Sequence, residues 1–316
     1  MIVTLTPNPS LDRTITVDEL LVGEVHRARG LHIDAGGKGV NVSRALAANG
    51  LSTMVVMPAS GAPALEFSSR LDDDGVPHDY IALEGAVRTN ITIVDAEGTT
   101  TKINEPGRAS TAADAAAMLD AVDRHIADAT WVVGCGSLPP GIEGDLYVGL
   151  IDRARARGVH VAIDTSGTAL RKAVAARPDL IKPNHEELEE LVGTPLPTLH
   201  DVLEAARRLV AGGIGAVVVS LGEHGALAVD ATNAVHASAV VSHPQSTVGA
   251  GDCLLAGVLA AIERGSSLED ALSTGVRWGA AAVALPGSTV PSPGDLSLAT
   301  VSVSLQMPLD LNLATS

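Results

Sequence analysis

The chain has 316 residues, 46% of them hydrophobic and 18% charged, and a formal net charge of -16 from 21 basic and 37 acidic side chains. That supports a sizeable core in one large domain, or one plus a smaller attachment, and excludes a disordered or collagen-like chain. The acidic balance argues against nucleic acid or an anionic membrane as the main partner, leaving small molecules bound through local positive groups.

The start, Met1-Ile2-Val3-Thr4-Leu5-Thr6-Pro7, lacks the basic residues and apolar run of a signal peptide. The two cysteines, Cys135 and Cys253, suit a reducing compartment. The apolar run Cys253–Ile262 is too short to span a bilayer. The expected location is the cytoplasm.

Arg13–Leu20 and Val25–Asp34 alternate in the manner of strands with no helix between them, and Thr89–Asp95 and Thr99–Asn104 read as a hairpin across Asp95-Ala96-Glu97-Gly98. These four predict a small sheet, a lid inserted in two pieces; edge strands of a main sheet are the alternative. From Trp131 onward strands and helices alternate. Trp131–Gly134, Val159–Ile163, Leu180–Ile181 and Ala216–Ser220 are strands; Gly144–Arg157, Asn184–Leu191 and Val202–Ala211 are helices. That rhythm predicts a parallel sheet covered on both faces. Residues 292–316, rich in Ser, Pro and Leu, read as a surface-running tail.

Seven segments could carry chemistry. Pro7-Asn8-Pro9-Ser10-Leu11-Asp12 follows the first strand, where Asp12 either accepts hydroxyl hydrogen bonds or caps a loop. Asp34-Ala35-Gly36-Gly37-Lys38-Gly39-Val40-Asn41 feeds a helix, so its glycines and N–H groups suit an anion, as well as a plain tight turn. It matches neither a Walker A loop nor a dinucleotide fingerprint. Lysine occurs only at positions 38, 102, 172 and 182, which makes Lys38 in such a loop conspicuous. Arg88-Thr89-Asn90-Ile91 places an arginine able to fork onto phosphate on the lid.

Gly134-Cys135-Gly136-Ser137-Leu138-Pro139-Pro140-Gly141 follows a strand, at the end where α/β sheets bind ligands, but holds no hydrolase elbow. In Lys182-Pro183-Asn184-His185-Glu186-Glu187, Asn184 and Glu187 form a capping-box pair or an oxygen-rich shell for hydrated Mg²⁺. Ser220-Leu221-Gly222-Glu223-His224-Gly225 is a hairpin turn or a ligand loop. Ser246-Thr247-Val248-Gly249-Ala250-Gly251-Asp252 opens an apolar helix. Asp252 either complements the positive helix end or deprotonates a hydroxyl beside a bound phosphoryl group.

In order and spacing these segments resemble the ribokinase-like PfkB sugar kinases, from Thr4 to about Pro291. The resemblance implies a three-layer α/β/α fold with a mostly parallel central sheet and a small β-sheet lid, the core comprising residues 1–11, 35–86 and 105–316 and the lid 12–34 and 87–104. It implies Asp252 as catalytic base, with Gly249, Ala250 and Gly251 facing the transferring phosphoryl group. Asp12, Gly37 and Asn41 would meet sugar hydroxyls, and Lys38, Arg88, Asn90 and Ser137 an existing sugar phosphate. Lys182, Asn184, Ser220, Gly222, Gly225 and Thr247 would hold ATP, while Asn184 and Glu187 would act on Mg²⁺ through water or phosphate.

The combination of Lys38 and Arg88 is similar to the branch acting on sugar phosphates. The implied reaction is phosphorylation of fructose 1-phosphate at its 6-hydroxyl. Tagatose 6-phosphate and fructose 6-phosphate are the alternatives within the family, and a non-catalytic sugar-phosphate sensor is the alternative of another class. Open lid edges are where two copies could pair. The chain departs from the family pattern at Cys135 and Cys253, where hydroxyl residues are usual, and at Met57–Gly61, which lacks paired glycines.

Overall fold

The computed structural model describes residues 1–304 and 307–313. Its first half comprises β1 (Ile2–Leu5), β2 (Ser10–Thr16), β3 (Gly30–Gly36), α1 (Lys38–Ala48), β4 (Thr53–Pro58), α2 (Gly61–Asp73), β5 (His78–Ile81), β6 (Arg88–Val94), β7 (Thr100–Asn104), α3 (Ala112–Asp123) and β8 (Trp131–Cys135). Then come α4 (Asp145–Ala156), β9 (His160–Asp164), α5 (Gly167–Ala175), β10 (Leu180–Ile181), α6 (His185–Val192), α7 (Leu199–Ala211), β11 (Ala216–Ser220), β12 (Ala226–Asp230), β13 (Ala234–Val241), α8 (Ala250–Glu263), α9 (Leu268–Val283) and β14 (Ala299–Ser304).

Ten strands make the main sheet, in the order β14-β13-β12-β11-β10-β9-β8-β1-β4-β5. From β11 to β5 every neighbour pair is parallel; β12, β13 and β14 continue it antiparallel. Both faces are buried, as a helix-covered parallel sheet requires. Val3 and Leu5 point into one cluster with Met118, Tyr147, Leu150 and Leu203. Ile2 and Val133 point into another with Leu46, Leu255, Leu259 and Trp278.

The helices that open at the site are fixed by close packing. A buried hydroxyl chain, Thr4 to Ser43 at 2.9 Å and Ser43 to Thr53 at 2.7 Å, joins α1 to β1 and β4. Helix α8 touches α9 almost backbone to backbone: a Cβ on Gly275 would stand 2.6 Å from Val258 Cγ2 and 2.7 Å from the Leu254 carbonyl oxygen.

The second sheet has the order β3-β2-β6-β7, with β2 and β6 parallel and the outer pairs antiparallel. The Asp95–Gly98 turn forms as expected, with the Asp95 carboxylate accepting the N–H groups of Glu97 and Thr99. The first pair lies elsewhere than its alternation suggested. Strand β2 runs from Ser10 to Thr16 and β3 from Gly30 to Gly36, while the Val17 N–H still donates to the Val94 carbonyl at 3.0 Å just beyond the strand end.

The C-terminal stretch is not simply a tail. Ala299–Ser304 pairs with β13 as the edge of the main sheet, and Leu313 is buried. Ala299-Thr300-Val301-Ser302-Val303-Ser304 has the alternation of a half-buried strand, a signal outweighed by its serines. Residues 305–306 and 314–316 of that stretch lie outside the described residues. Among the described residues no helix is long and apolar enough to cross a membrane.

Replacing Gly275 with Ala forces α8 and α9 apart. The expected loss is about 1–3 kcal/mol, the usual cost of overpacking, read as a lower denaturation midpoint; an unchanged midpoint would mean that this contact is not close.

Candidate active site

The carboxyl ends of five adjacent parallel strands converge. In sheet order they carry Ser220 after β11, Lys182 after β10, Asp164 at the end of β9, Cys135, Gly136 and Ser137 after β8, and Thr6 and Asn8 after β1. Such strand ends are where α/β sheets bind ligands. A cavity of about 200 Å³ opens there, lined by Thr6, Asn8, Gly37, Lys38, Arg88 and Ser137, with Cys135, Gly136, Thr165, Ser166 and Glu187 completing the wall.

Asp164 is fully buried between two lysines. Lys38 Nζ lies 2.8 Å from its Oδ1 and Lys182 Nζ 3.1 Å from its Oδ2. Burial would raise the Asp164 pKa, but Lys182 and Lys38 outweigh it and hold the carboxyl below its ordinary range. Burial would likewise lower the Lys38 pKa, yet Asp164, Asp252 and Glu187 reverse the sign and raise it. Both groups are therefore charged at neutral pH.

Asp252 sits in the first turn of α8, 6% exposed. Burial and the Asp164 charge push its carboxyl up to about 6, partly offset by Lys38, by Asn41 and by Lys182. Asn41 Nδ2 donates to Asp252 Oδ2 at 2.8 Å, joining the first turns of α1 and α8. Gly249 caps α8 in the left-handed region at φ 75°, and the Ala250 N–H reaches the Thr247 carbonyl at 3.4 Å. The following first-turn N–H groups have no acceptor one helical turn back and suit an anion. A Cβ on Gly251 would lie 3.4 Å from Lys182 Nζ, so this helix start also faces a lysine.

Gly37 caps α1 at φ 122°, and a Cβ there would lie 2.7 Å from Thr6 Cγ2. Asp12 and Asn90 are neighbours across β2 and β6. Asn90 Nδ2 donates to Asp12 Oδ1 at 2.9 Å, and Ser10 donates to the same oxygen at 2.7 Å. Burial raises the Asp12 pKa against those hydrogen bonds and against Arg88. Arg88 Nη1 donates to the Glu105 carbonyl at 2.6 Å.

On the other side, Asn184 and Glu187 form the capping box: the Glu187 N–H donates to Asn184 Oδ1 at 2.7 Å, and Glu187 Oε2 accepts the Asn184 N–H at 2.8 Å. Glu187 Oε1 remains turned toward Lys38, 3.8 Å away. Asn184 bridges to Ser220 at the end of β11. Gly222 and Gly225 belong to the turn between β11 and β12, so the hairpin is real. A Cβ on Gly225 would come within 2.1 Å of the Ala237 carbonyl oxygen, a packing reason for glycine that involves no ligand. Thr247 is exposed before α8.

The structure thus brings Gly37, Lys38, Arg88, Ser137 and Glu187 to one cavity, with Asn41, Asp252 and Lys182 joined to them through hydrogen bonds and charge. Of the other expected residues, Asp12, Asn90, Asn184, Ser220, Gly222, Gly225, Thr247, Gly249, Ala250 and Gly251 do not line it. Sequence reasoning missed Asp164, Thr6, Asn8 and Thr165. The available signal for Asp164 was its position: an acid ending an apolar parallel strand, equivalent to Cys135 on the neighbouring strand.

Sheet order and the second sheet together give the chain the ribokinase-like α/β fold. The chain belongs to the pfkB family of carbohydrate kinases, whose profile matches residues 6–294. It is 38% identical over 307 residues to a 1-phosphofructokinase of Rhodobacter capsulatus, covering 96% of this chain and 97% of that one. It is 35% identical to an ATP-dependent 6-phosphofructokinase isozyme 2 of Escherichia coli, covering 93% and 96%. A crystal structure of phosphofructokinase-2 from Escherichia coli in complex with substrates and products superposes with a TM-score of 0.87 at 33% identity, covering 94% and 97%.

Changing Asp164 to Asn leaves Lys38 and Lys182 without their shared counter-charge. The expected loss of stability is about 3–5 kcal/mol, as when one partner of a buried pair is removed. A denaturant titration measures it; a loss below about 1 kcal/mol, typical of exposed pairs, would mean that water already screens the cluster.

Proposed function

We propose that the chain transfers the γ-phosphoryl group of ATP to the 6-hydroxyl of fructose 1-phosphate, giving fructose 1,6-bisphosphate and ADP. The observation that carries this reading is a buried carboxylate at a helix start, Asp252, held by Asn41 and placed beside a cavity that presents Lys38 and Arg88. The 38% identity to a protein named 1-phosphofructokinase favours the 1-phosphate over the 6-phosphate as the group already present.

In this reading Asp252 accepts the proton of the 6-hydroxyl as its oxygen bonds to the γ-phosphorus and the bond to the β-phosphate oxygen breaks. A base with a pKa near the working pH suits that transfer. The free N–H groups opening α8 offer hydrogen bonds to charge on the transferring group. Lys38, Arg88 and Ser137 hold the sugar's existing phosphate, with Asn90, Asp12 and Gly37 toward the sugar. Lys182, Asn184, Ser220, Gly222, Gly225 and Thr247 border the nucleotide. The lid, residues 12–34 and 87–104, which carries most of the second sheet, closes over the sugar and excludes water.

Among the described residues no three carboxylate, His or Cys side chains cluster as direct metal ligands. The free oxygen of Glu187 beside Asn184 fits hydrated Mg²⁺ held mainly by phosphate oxygens. Bound there, the ion would neutralise phosphate charge.

We also propose that two copies pair through the second sheet. Leu31 and Ile103, each more than half exposed, lie on its face opposite Asp12 and Asn90. Changing both to Asp should convert a dimer to monomers in analytical ultracentrifugation; a parent that sediments as a monomer would refute the pairing.

The deciding assay follows ADP release with Mg-ATP and fructose 1-phosphate, fructose 6-phosphate or tagatose 6-phosphate. The highest kcat/KM is expected on fructose 1-phosphate. A 6-phosphorylated sugar in first place would redirect the phosphate assignment, and no turnover on any would favour a non-catalytic sensor. Arg88→Ala should raise the sugar-phosphate KM about tenfold or more, as for loss of a charge-assisted hydrogen bond, and leave the ATP KM unchanged.

Asp252→Asn should abolish turnover. For the parent, kcat should fall as pH drops through about 6, because only ionised Asp252 accepts a proton. The stability effect has the opposite sense. The folded pKa lies above the ordinary 3.8, so ionisation opposes folding above pH 6. The inactive Asn variant should therefore gain up to about 3 kcal/mol over the parent there, and lose that advantage below pH 4.

A further inference from the structure

The second sheet is reached from the main body by several crossings, two of which meet at Asn8. One crossing is the loop between β1 and β2, which contains Asn8; the other is the strap Glu105–Ser110, which leads from β7 toward α3. Asn8 is 6% exposed. Its Nδ2 donates to the Pro106 carbonyl at 3.1 Å and lies 3.5 Å from Ser137 Oγ. Its Oδ1 is buried with no hydrogen-bond partner and packs against Gly107, where a Cβ would come within 2.2 Å of that oxygen. Gly107 also holds φ 91°, in the left-handed region that favours glycine.

The strap in turn holds Arg88. The Glu105 carbonyl accepts Arg88 Nη1 at 2.6 Å, and the Glu105 carboxylate accepts the Thr89 N–H at 2.8 Å. At its far end the Ser110 N–H donates to the Pro140 carbonyl at 2.7 Å. Arg88, Asn8 and Ser137 all line the same cavity. A buried amide with an unmade hydrogen bond carries a desolvation cost, which packing alone does not explain.

We propose that Asn8 is a positioning residue for the sugar-phosphate pocket: by fastening the strap at Pro106 and Gly107 and touching Ser137, it holds Arg88 and Ser137 in one arrangement facing the ligand. The inference rests on the kinase reading and deepens it. Asn8 acts on the non-transferred phosphate through Arg88 and Ser137, and its hydrogen bonds run to Pro106 and Ser137. A small side chain at position 8 leaves the strap free to shift, and Arg88 moves with it.

The test combines steady-state kinetics with calorimetric titration of fructose 1-phosphate, fructose 6-phosphate and inorganic phosphate into the full chain. Asn8→Ala is expected to raise the sugar-phosphate KM and Kd about tenfold while the ATP KM stays within about twofold. Because Asn8 acts through Arg88 and Ser137, the triple variant Asn8→Ala/Arg88→Ala/Ser137→Ala should match Arg88→Ala/Ser137→Ala within about twofold. Should Asn8→Ala fail to fold, Glu105→Ala, at an exposed position of the same strap, should show the same selective loss. Unchanged sugar-phosphate constants, equal losses for both substrates, or a further loss in the triple variant would each overturn the assignment. A parent that binds these ligands without turnover would sink the kinase reading and leave Asn8 to be judged by the titration. A parent that binds none of them would overturn both.

Discussion

Two of the protein's four lysines converge on one fully buried carboxylate, and the candidate site is organised around that contact. Asp164 takes Lys38 from the start of α1 and Lys182 from the end of β10, so three segments remote in sequence are fixed relative to one another. A buried ion pair is weak evidence for stability, because desolvation offsets much of its attraction. Its value here is geometric. It keeps two ammonium groups, in a chain carrying a net charge of -16, within a few ångströms of a helix start where an anion would sit. Acidic surroundings and phosphate binding are then compatible, since positive charge is concentrated where it is used.

What could be read from the sequence follows from how local each signal is. Gly36-Gly37-Lys38-Gly39 and Gly249-Ala250-Gly251-Asp252 announce helix starts because a left-handed cap and an unoccupied first turn need only neighbouring residues. Parallel strands announce themselves as short apolar runs for the same reason. Asp164 carried only the weak local signal of an acid ending an apolar strand, because its importance depends on two lysines, one 126 positions earlier. The start of β2 at Ser10 depends on pairing with Arg88, a residue 78 positions downstream that no local alternation can announce. The edge strand β14 was legible in its alternation, but its serines made it resemble a surface tail.

Other signals were read correctly and yet do not choose between roles. Asn184 and Glu187 were weighed as a helix cap or as a polar shell for a hydrated cation. The cap forms, and it consumes only one carboxylate oxygen, leaving the other turned toward Lys38. Capping therefore fixes the orientation that a second role would require. Gly225 runs the other way: β13 passes so close that glycine is needed whether or not a nucleotide ever binds. A residue with a sufficient packing reason says little about ligands, whereas a buried polar atom with no partner, such as Asn8 Oδ1, calls for a further explanation.

The balance of charge completes the argument. Around Lys38 and Lys182 stand three carboxylates, Asp164, Asp252 and Glu187, so this half of the site is one cation short. Arg88 does not fill the deficit, because it answers to Asp12 on the second sheet and to Glu105 on the strap. Burial first, and then the Asp164 charge, push the Asp252 carboxyl up against the two lysines, while Asp164 keeps its charge by direct contact with both. An anionic substrate entering alone would deepen the imbalance and draw Lys38 away from Asp164. A nucleotide arriving with a divalent cation would bring its own compensation. Under the proposed function, a cation arriving with the nucleotide would supply charge that the protein lacks, while burial, with the Asp164 charge, keeps the base near the pKa at which it can accept a proton.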